Sequence, residues 1–280
     1  MKLGAFQLQL VDDGDFRLDG GAMFGTVPRV MWEDLKPPDE LNRIPIASNC
    51  LLVERGSDLL LIDTGIGGRG DMHFRNMLGM DDDAVRLPAA IRQAGYELGD
   101  VSHVLLTHLH FDHCGWNTRD DAAGRPVPTF PNARYWLERG EVEHARQPNL
   151  RDQSSYDPLN FEPLFEAGVV ELFDDRAEPI EGVRAIKTPG HNANMCIVLI
   201  DGGDGSKAAW WTDLAPTVAH VSYPWVMGFD LFPLTTIENK QKWFPRAALE
   251  GWICFFGHET ETPIGRLVEV KHGRLRVEPA

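Results

Sequence analysis

The stretch Thr107-His108-Leu109-His110-Phe111-Asp112-His113-Cys114-Gly115 places three histidines and one aspartate within six consecutive positions. A short apolar run, residues 101–106, directly precedes it and is broken only by Ser102 and His103. An apolar run of this length predicts a buried strand. The cluster therefore follows the end of a strand, which is where α/β proteins usually build their sites.

The spacing within this stretch predicts a metal centre. His108 and His110 are two positions apart, so an extended backbone points both rings to the same side, and Asp112 and His113 follow as the chain turns. Imidazole and carboxylate ligands suit Zn, Fe or Mn in a site with an open position. The alternatives are a histidine-rich surface loop and a structural metal site. A structural zinc site usually has several cysteines, and Cys114 is the only one here.

The composition is that of a globular protein. The chain has 280 residues, of which 43% are hydrophobic and 25% are charged, and it contains no linker or low-complexity segment, so we expect one domain over residues 1–280. The net charge of -15 would repel a polyanion, and no run of Lys or Arg offsets it. We therefore expect no nucleic-acid partner.

The sequence also predicts a cytoplasmic protein without a membrane partner. The first ten residues contain no apolar segment long enough for a signal peptide, and no segment is long enough to span a bilayer. The four cysteines, Cys50, Cys114, Cys196 and Cys254, are far apart and form no CxxC pair. Reduced, buried cysteines in a reducing compartment are the simplest interpretation.

Strands and helices are predicted to alternate along the chain, which indicates the α/β class. Two hairpins are expected early, residues 6–11 with 16–18 and residues 49–54 with 59–63, and the glycine-rich residues 19–28 between them are expected to be irregular. Later strands are expected at residues 101–106, 133–137, 169–173, 183–187, 195–201, 208–212 and 252–256, with a last hairpin at 267–271 and 275–277. Helices are expected at residues 83–94, 140–146 and 235–249, with a loop, interpreted as a lid, at 147–165.

Several predicted strands end in a residue that can bind or support a metal. These residues are Asp63, His108, His191, Asp213 and His258. Asp63 precedes glycines, so it could form a turn or orient a metal-bound histidine. His191 follows Pro189-Gly190 and His258 follows Gly257, so both stand at turns.

The order of these motifs resembles the metallo-β-lactamase superfamily: HxHxDH, then Thr-Pro-Gly-His, then an aspartate after a strand, then Gly-His. The resemblance implies an αβ/βα four-layer sandwich with the site at the sheet edges. It implies two divalent metal ions, most simply Zn, with Fe, Mn or Co as alternatives. The implied ligands are His108, His110 and His191 for the first metal, Asp112, His113 and His258 for the second, and Asp213 as the bridge, with Asp63 orienting a ligand.

Within the superfamily, the chain is similar to the quorum-quenching lactonases. The similar stretches are residues 19–25, 107–113, 225–227 and 240–243. The resemblance implies a metal-dependent hydrolase that opens N-acyl-homoserine lactone rings by attack of a metal-bridging hydroxide, with Asp112 passing a proton to the leaving group. Methyl parathion hydrolases share the glycine-rich Met-Phe loop, so a phosphotriesterase, or another ester or thioester hydrolase, is the alternative. A non-catalytic metal-binding module is a more distant one.

One departure concerns the residue that contacts the substrate. Lactonases of this branch have a tyrosine three positions after the bridging aspartate, and this chain has Pro216 there. His220 and Tyr223 lie nearby and are the candidate catalytic substitutes, His220 being preferred. A buried histidine with satisfied hydrogen bonds is the alternative for His220.

An apolar wall for the acyl chain of a small lactone or ester is predicted from residues in two loops. These are Met23, Phe24, Trp225, Met227, Phe229 and Phe232. Ordinary core packing is the alternative for each of them. The apolar N-terminal loop could also serve a homodimer contact.

Overall fold

A computed structural model describes residues 1–70, 72–80, 86–270 and 273–280. The strands in this part of the chain are, in order, β1 Lys2–Leu3, β2 Phe6–Asp12, β3 Phe16–Asp19, β4 Arg43–Ile46, β5 Asn49–Arg55, β6 Asp58–Ile62, β7 His103–Leu105, β8 Thr118–Asp120, β9 Pro126–Pro128, β10 Arg134–Glu138, β11 Val170–Phe173, β12 Arg176–Ile180, β13 Val183–Lys187, β14 Cys196–Asp201, β15 Lys207–Trp210, β16 Ile253–Phe255, β17 Ile264–Glu269 and β18 Leu275–Pro279. The α-helices are α1 Gly20–Phe24, α2 Arg29–Trp32, α3 Met72–Met77, α4 Leu87–Gln93, α5 Phe111–Cys114, α6 Arg139–Arg146, α7 Glu162–Glu166 and α8 Pro233–Glu250.

Two mixed seven-stranded sheets dominate the fold. The first sheet has the order β1-β2-β5-β6-β7-β10-β11, and the second has the order β12-β13-β14-β15-β16-β17-β18. Strands β6, β7, β10 and β11 run parallel to one another in the first sheet, and β15 runs parallel to β16 in the second. Parallel neighbours bring their carboxyl ends to the same sheet edge, which is the edge at which the predicted ligands follow their strands.

The sheets pack face to face, and helices cover both outer faces. The inner layer joins Leu60 and Ile62 of the first sheet to Val198 and Trp210 of the second. Ile91, Val142 and Leu164 of α4, α6 and α7 pack on the outside of the first sheet. Trp243, Phe244 and Ala247 of α8 pack on the outside of the second. The predicted αβ/βα four-layer sandwich is therefore confirmed.

Two local predictions near the N-terminus are wrong. β2 and β3 do not form a hairpin: β2 pairs with β1 and β5, whereas β3 pairs with β4. The buried Asp13 carboxylate between them accepts hydrogen bonds from the backbone N–H groups of Gly67 and Leu87 and from Trp116 Nε1, so the chain is held inward and does not turn back. The glycine-rich stretch is not wholly irregular either, because it contains α1.

The sequence shows why α1 forms despite its glycines. The Asp19 carboxylate accepts a hydrogen bond from the backbone N–H of Ala22 at 2.8 Å, which is an N-cap. Met23 and Phe24 at the end of the helix are buried and fix it to the core. Capping and burial together offset the low helix propensity of Gly20 and Gly21.

Other predicted elements differ in extent. The helix expected at 83–94 is described from Leu87 onwards, and residues 83–85 lie outside the described residues, as do Lys271 and His272 of the last hairpin. The predicted loop at 147–165 contains two 3₁₀ turns, Gln153–Ser155 and Pro158–Asn160, and the start of α7.

Two observations bear on the predictions of reduced, buried cysteines and of no membrane-spanning segment. All four cysteines are free and buried. Within the described residues, no helix has both the length and the apolar character that crossing a bilayer requires.

Candidate metal centre

The site forms where strands of both sheets end. Asp63 follows β6 and His108 follows β7 in the first sheet, while Asp213 follows β15 and His258 follows β16 in the second. The inner packing of the sheets brings these four strand ends to one edge. Side chains that are distant in sequence therefore converge there.

Two residues at this edge have left-handed backbone conformations. Asp63 has φ 57° and Thr212 has φ 45°; aspartate tolerates this region, whereas a β-branched residue such as Thr212 is strained there. The Thr107 hydroxyl lies 2.9 Å from Asp63 Oδ1 and 3.0 Å from Thr212 Oγ1, so it ties the two turns together. Strain held by such contacts is common at functional sites.

The first group of candidate ligands is His108, His110, His191 and Asp213, all buried. Their ligand atoms all lie within 4.8 Å of one another. His191 Nε2 is 2.9 Å from His110 Nδ1, so two ring nitrogens face each other. The HxH spacing gives this geometry because the chain is extended at His110, with ψ 149°, just before α5 begins.

The second group is Asp112, His113 and His258. His258 Nε2 lies 3.1 Å from His113 Nε2 and 3.6 Å from Asp112 Oδ2. Asp112 and His113 are in α5, the single turn that follows the HxH segment. A glycine is needed directly after this turn, because a Cβ on Gly115 would lie 2.2 Å from the backbone carbon of Ile66.

Asp213 lies between the two groups and turns one oxygen to each. Its Oδ2 is 3.1 Å from His191 Nε2 and 3.8 Å from His108 Nε2. Its Oδ1 is 3.2 Å from His258 Nε2 and 3.5 Å from His113 Nε2. Burial alone would raise the pKa of Asp213, but the surrounding imidazoles hold this pKa well below its usual range.

The unpaired atoms of the site fit metal ions. His108 Nε2, His110 Nε2 and Asp213 Oδ1 are buried and have no hydrogen-bond partner within the described residues. Leaving such groups unpaired costs about 1–3 kcal/mol each, and facing ring nitrogens cannot satisfy each other unless one carries a proton. Two divalent cations would satisfy these nitrogens and the carboxylate together. The ligands are nitrogen and oxygen atoms only, which suits Zn, Fe, Mn or Co.

A cavity of about 320 Å³ opens onto both groups of ligands. Met23, Met227 and Phe229, three of the residues expected in an apolar wall, line it. Leu18, Phe111, Leu231 and part of the 151–155 segment complete the lining. The cavity is within the size range of small-molecule sites, and its lining combines apolar side chains with candidate metal ligands and with the polar residues Arg151, Asp152 and Ser155.

Residues 43–205 of the chain match the metallo-beta-lactamase superfamily, and this region is more than half of the 280 residues. The chain belongs to the metallo-beta-lactamase superfamily. A "probable metallo-hydrolase" of Mycobacterium bovis is 30% identical over 189 residues, which are 58% of this chain and 56% of that protein. The chain therefore spans little more than half the length of this relative.

Other proteins match over more of their length. An N-acyl homoserine lactonase of Bacillus cereus is 25% identical over 243 residues, 81% of this chain and 86% of that protein. A probable metal-dependent hydrolase from Staphylococcus aureus superimposes with a TM-score of 0.89 at 27% identity, covering 100% and 99% of the two chains. A dizinc quorum-quenching lactonase, in complex with a product, superimposes with a TM-score of 0.80 at 19% identity, covering 100% and 96%.

His220 does not line the cavity at the candidate metal centre. Its ring is fully buried, with Nδ1 2.8 Å from Thr217 Oγ1 and Nε2 2.9 Å from the Met23 carbonyl. Burial lowers the pKa of His220 to about 3, so the ring stays neutral. The alternative of a buried, hydrogen-bonded histidine therefore describes it better than the catalytic prediction.

Tyr223 and three predicted wall residues also lie outside the cavity lining. Tyr223 stacks on Phe244 at 6.4 Å, on the α8 side of the molecule. Phe24 is sandwiched between the rings of Trp32 and His220, at 5.0 and 4.8 Å, and Trp225 meets its edge at 5.6 Å. The half-exposed Phe232 directly precedes α8. Phe24 is taken up by core packing, whereas Phe232 is exposed at the start of α8 and does not line the cavity.

Three of the candidate histidine ligands have a carboxylate or carbonyl oxygen within hydrogen-bonding distance of the ring Nδ1. Asp63 Oδ2 is 3.2 Å from His113 Nδ1, as the prediction for Asp63 requires. Asp230 Oδ1 is 3.0 Å from His191 Nδ1, and the Ala47 carbonyl is 2.9 Å from His258 Nδ1. Such partners fix which ring nitrogen faces the metal.

Neither Asp230 nor Arg151 was predicted from the sequence. Asp230 is buried and accepts a hydrogen bond from Thr236 Oγ1 at 2.6 Å, but it follows no recognisable strand or motif. Arg151 lines the cavity from the 147–165 segment and donates to the Gly228 carbonyl, which links the two sides of the mouth. The only signal for Asp230 was its position inside the loop already assigned to the pocket wall.

We expect Asp230→Asn to weaken metal binding by about 10–100-fold, the usual effect of removing the partner of a metal-bound histidine. The neutral amide keeps the size of the carboxylate but not its charge, so His191 becomes a weaker ligand. Chelator competition measures the affinity. Asp174→Asn removes an exposed carboxylate that pairs with Arg139 and is the matched control. Equal affinity for both variants would contradict the role of Asp230.

Lys240 of α8 holds the loop that contains His220 and Trp225, and it should make the free energy of unfolding depend on pH. Its Nζ donates to the carbonyls of His220 at 2.8 Å and Trp225 at 2.6 Å, and burial lowers its pKa to about 7. Between this value and the unfolded value of about 10.4, only the unfolded chain holds the proton, so higher pH favours the folded state.

Lys240→Met should remove this dependence. We expect the free energy of unfolding of the native chain, relative to Lys240→Met, to rise by about 1–2 kcal/mol from pH 7 to pH 9. Urea unfolding at the two pH values measures it. The exposed Lys242→Met on the same helix should show no such change, and a constant difference for Lys240→Met would contradict the prediction.

Proposed function

We propose that this protein is a metal-dependent hydrolase that opens the rings of N-acyl-homoserine lactones, acting as a single domain over residues 1–280. The observation that carries the proposal is the position of Asp213 between two groups of ligands at the floor of a mainly apolar cavity. The lactonase of Bacillus cereus and the dizinc lactonase structure support the choice of substrate and of zinc.

The ligands follow from the two groups of side chains. His108, His110 and His191 would hold the first ion, Asp112, His113 and His258 would hold the second, and Asp213 would serve both. Two bound divalent ions supply an ionised water at neutral pH and polarise a carbonyl oxygen. Asp63 and Asp230 keep the rings of His113 and His191 oriented.

The cavity walls position the substrate. Met23, Met227 and Phe229 offer an apolar surface to an acyl chain, and Met side chains adapt to chains of different length. Arg151 adds an exposed cation to the cavity lining, and its guanidinium N–H groups are donors that suit an amide or ring carbonyl. The walls also exclude water from most of the substrate, which strengthens the polar contacts at the floor.

Asp112 combines two roles. Its carboxylate lies at the cavity surface, 3.9 Å from His113 Nε2 and 12% exposed, so it can bind the second ion and still reach the substrate. A carboxylate there can accept a proton from the attacking water and return it to the leaving alkoxide of the opened ring.

We expect Asp112→Asn to lose at least about a hundredfold in turnover while it keeps part of its metal, because general acid–base catalysis typically contributes 10²–10⁴-fold. Turnover and metal content are measured on the same sample. Asp34→Asn, an exposed carboxylate, is the control. Full activity of Asp112→Asn would exclude the proton-transfer role.

The proposal is tested by ring opening of N-decanoyl-homoserine lactone, followed by proton release, before and after chelation and after zinc is restored. Fast hydrolysis that is lost on chelation and regained with zinc supports it. The same preparation is assayed on a phosphotriester and on a simple aryl ester. A two-metal protein that hydrolyses the phosphotriester and not the lactone would overturn the choice of substrate and leave the hydrolase assignment in place.

A further inference from the structure

A second cavity, of about 600 Å³, lies on the outer face of the second sheet, beside α8. It shares no lining residue with the cavity at the metal centre. Residues of β12, β13, β14 and β15 form its floor, and α8 forms one wall. It is therefore a separate concave surface, and the proposed reaction does not use it.

The lining is strongly cationic. Five basic side chains surround this cavity, and only two acidic residues, Glu178 and Asp201, line it with them; the basic residues are Arg176, Arg184, Lys207, Lys242 and Arg246. The whole chain has 27 basic and 42 acidic residues, so the local excess of positive charge runs against the net charge of -15. A concave basic surface on an acidic protein attracts anions selectively.

Two of these cations are available to a ligand. Within the described residues, Arg176 and Lys242 have no acidic partner, and both side chains are exposed. Arg184 is only loosely paired, 3.7 Å from Asp201. Lys207 and Arg246 frame the cavity and share the single carboxylate of Glu250, at 2.6 and 2.8 Å, which offsets only one of their two charges.

The floor between the cations is apolar. Strand register places Arg184 opposite Leu199 and Arg176 opposite Ile186, so basic and apolar side chains alternate on the face that α8 only partly covers. Trp243 lies at the α8 side of this floor and is largely buried. On α8, Lys242 and Arg246 are four residues apart and so project from the same side of the helix.

We propose that this cavity binds an amphipathic organic anion, with its apolar body on the floor and its acidic group between Arg176 and Lys242. The volume matches that of small-molecule sites, and a concave site of this size suits a compact ligand better than an extended macromolecule. The unpaired cations favour a ligand with a negative charge, and the apolar floor favours a ligand with an apolar body. The proposal is independent of the substrate of the metal centre.

The test uses a pair of matched probes and the zinc-loaded protein. 1-Anilinonaphthalene-8-sulfonate has an apolar body and one sulfonate, and N-phenyl-1-naphthylamine is the same body without the charge. Fluorescence titration should show saturable binding of the sulfonate that weakens with added salt, and much weaker binding of the neutral probe.

Charge-reversed variants locate the binding. Arg176→Glu and Lys242→Glu should each weaken binding of the sulfonate by about five- to tenfold, as expected for a partly solvated charge contact. Arg119→Glu, which reverses an exposed cation outside this cavity, should leave binding unchanged. Lactone hydrolysis by all three variants should equal that of the native chain, which separates this test from that of the metal centre.

Three outcomes would overturn the proposal. One is equal binding of the charged and neutral probes. Another is binding that Arg176→Glu and Lys242→Glu leave within twofold of the native value. The third is an equal loss in Arg119→Glu, since this would mean that only the net charge of the protein matters.

Discussion

Asp213→Asn is expected to lower hydrolytic turnover by more than about a hundredfold, and to leave fewer than two metal ions bound per chain. The reason is the position of the carboxylate, whose two oxygens face different groups of histidines at 3.1–3.8 Å. An amide has one acceptor oxygen and no charge, so it cannot serve both groups. Loss of a direct ligand should exceed the 10–100-fold effect of losing a ligand's partner.

Metal content by mass spectrometry and lactone turnover test this prediction on the same preparation. Asp204→Asn is the control, because Asp204 has the same side chain in the exposed β14–β15 turn and bonds only locally to Ser206. If Asp213→Asn retained two ions and near-native turnover, the bridging role would be wrong and each group would have to act independently.

Lys36→Met is expected to lower the free energy of unfolding by about 3–5 kcal/mol, the usual cost of leaving a buried charge without its partner. Lys36 pairs with Glu259, and the two side chains are only 4% and 1% exposed. The Glu259 carboxylate also accepts hydrogen bonds from the backbone N–H groups of Val218 and Glu261, so it cannot leave the interior when Lys36 is removed.

Urea unfolding with and without zinc measures this effect. Lys2→Met is the matched control, because it makes the same substitution at a lysine that is exposed. Since Glu259 follows the candidate ligand His258 directly, the variant should also bind the second ion less tightly. A variant as stable as Lys2→Met would show that water or a local rearrangement solvates Glu259.

The sequence was sufficient for those parts of the site that depend on local geometry. The HxH spacing predicted an extended segment followed by a turn of the chain; the chain is extended at His110, and the turn is the single helical turn of α5. The strand ends at Asp63, Asp213 and His258 could be predicted because each follows a continuous apolar run. The alternation of such strands with helices also indicated the α/β class.

The features that were missed depend on contacts between distant segments. The pairing of β3 with β4, which begins some two dozen residues later, has no local sequence signal. The buried Asp13 redirects the chain before β3, and its hydrogen-bond donors lie far along the sequence. Asp230 reaches His191 only because the loop before α8 folds back over the site. His220 and Phe24 resemble pocket residues in sequence, but stacking between their rings places both in the core.

Each group of candidate ligands contains residues from both sheets. This division affects how the protein resists unfolding and proteolysis. His108 and His110 come from the first half of the chain and His191 from the second, while Asp112 and His113 in the first half meet His258 in the second. Ions held there would act as cross-links between the halves, binding the assembled protein but not the separated strand ends. Resistance to unfolding and to proteolysis would then rise with free metal concentration, so that metal supply would govern the lifetime of the protein as well as its activity.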